Sequence, residues 1–519
     1  MSSAAHRMTA STAQAALETA QWTAAHFSAQ GFGKSRDCAA AIAQWHRGAY
    51  NSTRSANARA RLGILTPRLV ARAAASRHPE ELLLGFDGIV RQLPVGTHLF
   101  VTLCADSTAL TDLLRLVGTA PRLMALVGRH PEVFEALVAN TTDADRMSFA
   151  DLLAAVSEMA RGAASHDQAM ERIHAFVRLQ RFLVGARMLM GRIPVGHVAE
   201  ILSRLTAAIV QVVVRLRETE FQRLHGRVAG GRWALVALGK FGGRELTATS
   251  DLDMMFLYDI VDETERSDGP QPLAAGQYFG RLAQSVIAGL GFRTGDGALF
   301  DTDFRLRPWG NKGPIATRLT ALSAYFDSEA WTWEHMALTR TRVVAGQAAF
   351  ATNIESAIGA VVHRRREADV LRTDALEMRR MILTQKATKN AWDVKNVRGG
   401  LVDIEFIAQT LLLQHAADQP DIVSPGTAEA LRNLFLADLL SETDFATLGA
   451  AFALQSNLMQ VTRMACMETA AHGALPPALA DALPGLVGLT DVDALDARLR
   501  EAQAGVRRVF ERQIGKTGR

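Results

Sequence analysis

One segment restricts the fold more than any other. The short apolar run Trp233-Ala-Leu-Val-Ala-Leu238 passes directly into Gly239-Lys-Phe-Gly-Gly-Arg-Glu-Leu-Thr-Ala-Thr-Ser-Asp-Leu-Asp253. A run this short that ends on glycine reads as a buried strand entering a turn. Asp253-Met-Met-Phe-Leu-Tyr258 reads as a second strand. Phe279, Leu282, Val286 and Leu290 have helical spacing, and Ala298-Leu-Phe-Asp-Thr-Asp-Phe304 reads as a third strand. No second copy of this unit occurs, so a chain of 519 residues carries one small sheet. The expected fold class is mainly α with one α/β domain, a small mixed sheet with helices set between helical-bundle regions.

The flanks support that reading. From Asp106 onward, Leu110, Leu113, Leu114 and Val117 form one helix face, with Gly118 as the expected stop. Residues 179–216 read as helix broken at Pro194, and Phe445, Leu448, Phe452 and Met459 form a stripe after Glu442-Thr-Asp444. Such stripes are expected as packed bundle faces. Apolar residues make up 48% and charged residues 21%, which excludes disordered and collagen-like classes. No uninterrupted apolar run reaches the ~18 residues of a membrane span. Residues 1–20 are rich in Ala, Ser and Thr and lack the apolar stretch of a secretory leader. Cys38, Cys104 and Cys466 are too scattered for a disulfide framework or zinc site, and buried thiols in a cytoplasmic setting are expected. Lys and Arg number 57 against 53 Asp and Glu, too even a balance for a nucleic-acid footprint. The densest cationic stretch, Arg364-Arg-Arg366 through Arg372, Arg379-Arg380, Lys386 and Lys389, has interleaved acids and reads as a solvated helix face.

Two familiar glycine motifs do not fit. A P-loop fails because position 234 is Ala and Phe follows Lys240, and a dinucleotide fingerprint fails because Ala237 holds its first glycine position. The Asp251-Leu-Asp253 pair is more informative. Residues two apart on a strand face the same way, about 6.6 Å apart. Convergent carboxylates of this kind suit Mg²⁺ and in-line phosphoryl displacement, with Asp303 as a third ligand. Gly242-Gly243 would let backbone amides approach a triphosphate. Arg305 and Arg307, alternating with Asp303, suit either a polyphosphate or an internal ion pair. Ala330-Trp-Thr-Trp-Glu-His335 reads as core packing on a helix. In Asp393-Val-Lys395-Asn-Val-Arg-Gly399-Gly400-Leu-Val-Asp403-Ile-Glu405-Phe406, the glycines and acids suit a capped helix start, with Lys395 placed to reach a phosphate.

These pieces together resemble the glutamine-synthetase adenylyltransferase/adenylyl-removing family, which contains nucleotidyltransferase domains of the polymerase-β type. The resemblance rests on Gly239 through Leu246 with Ser250-Asp-Leu-Asp253, on Asp303-Phe-Arg-Leu-Arg-Pro308, and on Gly399-Gly400 through Phe406. It covers most of the chain from about residue 100 onward. Full-length members are similar to two such units in tandem, one removing AMP and one adding it. Glu329-Ala-Trp-Thr-Trp-Glu-His335 and the Asp393-Val-Lys395…Val402-Asp-Ile-Glu405 block resemble the AMP-adding, C-terminal half. Trp309 and Asp301 depart from the usual residues beside the site.

By that resemblance, Asp251, Asp253 and Asp303 are the catalytic and metal-binding carboxylates, with Gly242, Gly243, Ser250, Arg305, Arg307 and Lys395 binding nucleotide. It implies transfer of AMP from Mg²⁺-ATP to a tyrosine of glutamine synthetase with release of pyrophosphate. The alternative is phosphorolytic deadenylylation by the same fold; a nucleic-acid nucleotidyltransferase or a non-catalytic binding half ranks below both. Expected partners are glutamine synthetase and a PII-type signal protein, with glutamine as an effector and neither nucleic acid nor membrane. The expected organisation is a helical linker or regulatory segment over 1–95, a helical region over 96–225, a catalytic domain over 226–350 and a helical bundle over 351–519.

Overall fold

The computed structural model describes residues 21–139, 144–386, 388, 390–466 and 475–517. Residues 1–20, where no leader is expected, and Lys389 of the cationic stretch lie outside the described residues. The chain divides into two compact units.

The first unit draws on Met1–Asp143, Arg181–Val195 and Val461–Ala494 and is helical throughout its described residues. Its helices include Ser35–Arg47, Ala56–Ala74, Pro79–Gln92 and Ser107–Thr119. Asp106 caps the last of these by accepting from the Thr108 amide at 2.7 Å. Gly118 lies inside that helix, which ends at Ala120 because Pro121 follows. Buried in this unit, Trp45 donates its indole N–H to Asp87, whose other oxygen pairs with Arg91 at 2.6 Å. Cys38 is buried, as expected, whereas Cys104 and Cys466 are partly exposed.

The second unit draws on Ala144–Gln180, Gly196–Gln460 and Leu495–Arg519 and holds the sheet. Nearly all of helix α1 (Val195–His225) lies in it. This helix corrects the expectation from run length: it is long and apolar enough to cross a membrane, but 72% of its most apolar window is buried inside the protein. Its Ser203 hydroxyl accepts from the Leu246 amide, and its Gln211 donates to the Val344 carbonyl.

Strands β1 (Arg232–Ala237) and β2 (Leu252–Asp259) pair antiparallel in unbroken register, from Arg232 opposite Asp259 to Ala237 opposite Met254. Between them lies α2 (Gly239–Gly242), one helical turn rather than open loop. Helix α3 (Ala275–Leu290) buries Phe279, Leu282 and Val286, the face read from the sequence. The expected third strand divides into β4 (Gly297–Ala298), which forms a hairpin with β3 (Arg293–Thr294), and β5 (Thr302–Asp303). The break has a cause: the Leu299 and Phe300 amides bond back to the carbonyls of Phe292 and Leu290. Parallel to β2 run β5 at its start and β6 (Ala316–Arg318) further along, while β7 (Arg342–Gly346) joins antiparallel to β1. Helices α4 (Thr332–Leu338), α5 (Ala368–Gln385), α6 (Leu401–His415), α7 (Thr427–Leu436) and α8 (Glu442–Cys466) follow in the chain.

The cationic stretch is not uniformly solvated. Arg379 on α5 is fully buried, ion-paired with Asp403 and donating to the carbonyls of Asn396 and Val397. In the Ala330–His335 block, Glu334 is buried under the Tyr325 hydroxyl, which donates to it at 2.7 Å. Trp331, however, is 73% exposed and so is not core.

Candidate active site

The β2–β5 pairing brings the predicted carboxylates together. Asp253 and Asp303 are register partners on parallel strands, and neighbouring strands lie only about 4.8 Å apart. Asp251 sits just before β2, exposed, close enough for its charge to act on Asp253. Burial first, then the charges of Asp303 and Asp251, push the Asp253 carboxyl up to about 6, while Lys395 and Arg340 oppose the rise.

Asp303 has the opposite fate. The Arg305 guanidinium grips both of its oxygens, with Nε at 3.0 and 2.8 Å and Nη2 also donating to Oδ2, and the Arg305 amide adds a fourth bond at 2.8 Å. Those bonds hold Asp303 below its usual range. Among the described residues, no three acidic, His or Cys side chains are grouped so as to hold a metal ion. The chemistry of the donor set nonetheless fits a hard divalent cation: oxygen ligands only, with Asp253 and Asp303 in register and the charges of Asp303 and Asp251 adding to burial in raising Asp253.

The arginines do not alternate on a strand, since β5 ends at Asp303 and a turn follows. Arg305 is 70% exposed at its side chain and pairs with Asp303. Arg307 is buried and donates to the carbonyls of Phe304, Gly313 and Pro314, at 2.6, 3.2 and 2.9 Å. It ties the turn to the segment that feeds β6.

The glycines act differently from the expected amide cradle. The Gly242 and Gly243 amides donate to the Leu238 and Gly239 carbonyls at 2.8 and 3.0 Å, closing α2 on itself. Glycine is needed at 242 because a Cβ there would lie 1.9 Å from the Arg340 carbonyl oxygen. The glycine that faces the carboxylates is Gly239: with φ at +53°, its Cβ position lies 2.6 Å from an oxygen of Asp253. Ser250 shares a hydroxyl contact of 2.8 Å with Thr247 and accepts from the Thr247 amide, so it shapes the approach to Asp251.

A buried ionic network that single motifs did not reveal borders the site. Arg340 pairs with Glu245 and with Glu405, the latter at 3.2 Å, and Lys240 lies 3.8 Å from Glu405. The other oxygen of Glu245 accepts from the Thr427 amide at 2.7 Å, at the start of α7. Burial alone would push Glu405 up, but Arg340, Lys240 and Lys395 reverse this and hold it below the ordinary carboxylate range. The signal for it was in the sequence: Glu405 belongs to the block read as a helix start. Asp403 takes the capping part there, accepting from the Gly399 amide, and Glu405 turns to the cations. The cavity of about 450 Å³ beside Trp233, Glu218 and Gln347 lies at the other end of β1 and contains none of these groups.

Comparison with known proteins gives this arrangement a family. Residues 110–357 match the family described as glutamate-ammonia ligase adenylyltransferase. Residues 372–514 match that described as GlnD PII-uridylyltransferase. A bifunctional glutamine synthetase adenylyltransferase/adenylyl-removing enzyme of Mesorhizobium japonicum is 37% identical over 483 residues, 93% of this chain and 49% of the relative. The chain belongs to this family. Relatives of the same name from Brucella melitensis and Rhizobium meliloti are 38% and 36% identical, over 94% and 93% of the chain and 49% of each relative. The chain thus spans about half the length of the curated relatives it matches.

Proposed function

We propose that this chain is a polymerase-β-type nucleotidyltransferase corresponding to the adenylylating, C-terminal half of its relatives. It transfers AMP from ATP to a tyrosine of glutamine synthetase and releases pyrophosphate. The observation that carries this reading is the in-register pair Asp253–Asp303, with Asp251 in the same charge cluster, at the mouth of the glycine turn. The names of the relatives supply the protein substrate and, through both activities they mention, the reverse reaction as the competing direction.

In this reading Asp251, Asp253 and Asp303 hold Mg²⁺. The cation would neutralise triphosphate charge and polarise the phosphorus under attack. Lys395, whose charge already acts on Asp253, and Arg305, once it shares Asp303 with a cation, bind the polyphosphate. Gly242, Gly243, Ser250 and Arg307 serve the nucleotide indirectly by fixing the two loops that frame it. A cluster carboxylate takes the tyrosine proton. No covalent enzyme intermediate is required, because positioning and charge neutralisation lower the barrier. The catalytic region over 226–350 is completed by Lys395 and Glu405 from the following helical region. A PII-type protein as regulator is consistent with the match over 372–514.

Incubation with glutamine synthetase, Mg²⁺ and α-labelled ATP, with mapping of the labelled residue, tests the reading. Label on tyrosine with pyrophosphate released supports it. Phosphate-dependent ADP formation from modified glutamine synthetase, without forward transfer, reverses the direction.

A further inference from the structure

Lys240 stands out among the cations around the carboxylates. Its side chain is 15% exposed, and its ammonium has three donors to place. Its ion-pair partner among the described residues, Glu405 Oε1, is 3.8 Å away, beyond hydrogen-bond reach, and among the described residues no hydrogen bond from the ammonium forms. Its nitrogen is not sealed from solvent, unlike the buried Nε of Arg340. The adjoining residue, Gly239, leaves no room for a Cβ, which would lie 2.6 Å from an Asp253 oxygen. Lys240 and Lys395 both act on Glu405, and Lys395 also acts on Asp253.

Glu405 cannot follow Lys240 if the lysine moves. Arg340 fixes it, Glu245 fixes Arg340, and the α7 amide of Thr427 fixes Glu245. Arg340 pairs with both Glu245 and Glu405, and the Lys240 ammonium has only its 3.8 Å approach to the already paired Glu405. An ammonium anchored at its side and open at its donors suits a polyanion.

We infer that Lys240 is a further contact for the polyphosphate tail of the nucleotide, and that Glu405 is the positioning residue that holds Lys240 over the site. This rests on the nucleotidyltransferase reading and adds to it a residue from α2 and a support from α6.

The test is calorimetric binding of α,β-methylene-ATP and of AMP, each with Mg²⁺, to the full chain and to Lys240→Met, Glu405→Gln and the double variant. Lys240→Met should weaken the triphosphate tenfold or more and leave AMP within twofold, with Lys240→Arg recovering most of the loss. Glu405→Gln should weaken the triphosphate too, but add nothing once Lys240 is Met, because it acts through that lysine. If Glu405→Gln fails to fold, the triphosphate-to-AMP contrast in Lys240→Met and its recovery in Lys240→Arg decide alone. Unchanged triphosphate binding by Lys240→Met, equal loss of both ligands, or additive losses in the double variant would overturn the inference while leaving the nucleotidyltransferase reading intact. A wild-type chain that binds neither ligand would overturn both.

Discussion

Asp253 and Asp303 are partners across the parallel β2–β5 pair, yet they are held in opposite electrostatic states: Asp253 is pushed up to about 6 and Asp303 is held down by Arg305. A carboxyl raised in the fold binds a proton that the unfolded chain has released. Stability from this group is therefore present below pH ~4 and is lost as pH rises through about 6, a cost of roughly 2–3 kcal/mol. Asp253→Asn removes the effect. In melts from pH 4.5 to 7.5, the variant should gain on wild type as pH rises. A constant difference would mean that Asp253 is not destabilised by its neighbours.

Mg²⁺ should act on the same group from the other side. A cation held by the cluster binds only the folded chain and relieves the repulsion. Titrated at pH 7, Mg²⁺ should raise the melting midpoint of wild type and do so far less in Asp253→Asn. Equal shifts in both proteins would place the cation elsewhere.

Arg307 and Lys395 are expected to separate. Arg307→Met leaves three carbonyls without their donors and should cost about 1–3 kcal/mol, with KM for ATP little changed. Lys395→Met should raise KM for ATP more than KM for glutamine synthetase. Kinetics beside chemical denaturation distinguishes the two, and the reverse pattern would exchange the roles given to these residues.

Much of this site was legible in the sequence because strand alternation and short spacing are local. The strands at 232–237 and 252–259, the helix over Phe279–Leu290 and the break at Pro194 all follow from periodicity and punctuation. What escaped was set at a distance. Gly242 looked like a nucleotide cradle, but its constraint is the carbonyl of Arg340, about a hundred residues away in sequence. Arg379 looked solvated because its partner, Asp403, is on another helix. Glu405 was indistinguishable from a capping acid until α6 and the loop before β7 were placed together. The length of α1 hid its apolar character, since scattered charges interrupt every run.

The two glycines beside the carboxylates should fail in different ways. In Gly242→Ala the new methyl meets a backbone carbonyl, so the fold itself should lose more than ~2 kcal/mol. In Gly239→Ala the methyl meets the Asp253 carboxylate from a left-handed backbone, so transfer activity should fall more than stability does. Activity per folded molecule, measured for each, checks the distinction. Intact activity in Gly239→Ala would show that its contact with Asp253 is incidental.

The most direct measurement is transfer of label from α-labelled ATP to glutamine synthetase by wild type and by Asp253→Asn, with circular dichroism confirming that both are folded. The account predicts labelled tyrosine and released pyrophosphate for wild type, and a loss of several orders of magnitude for the folded Asn variant. Near-normal transfer by Asp253→Asn would contradict it, because the reaction centre would then lie away from the Asp253–Asp303 pair.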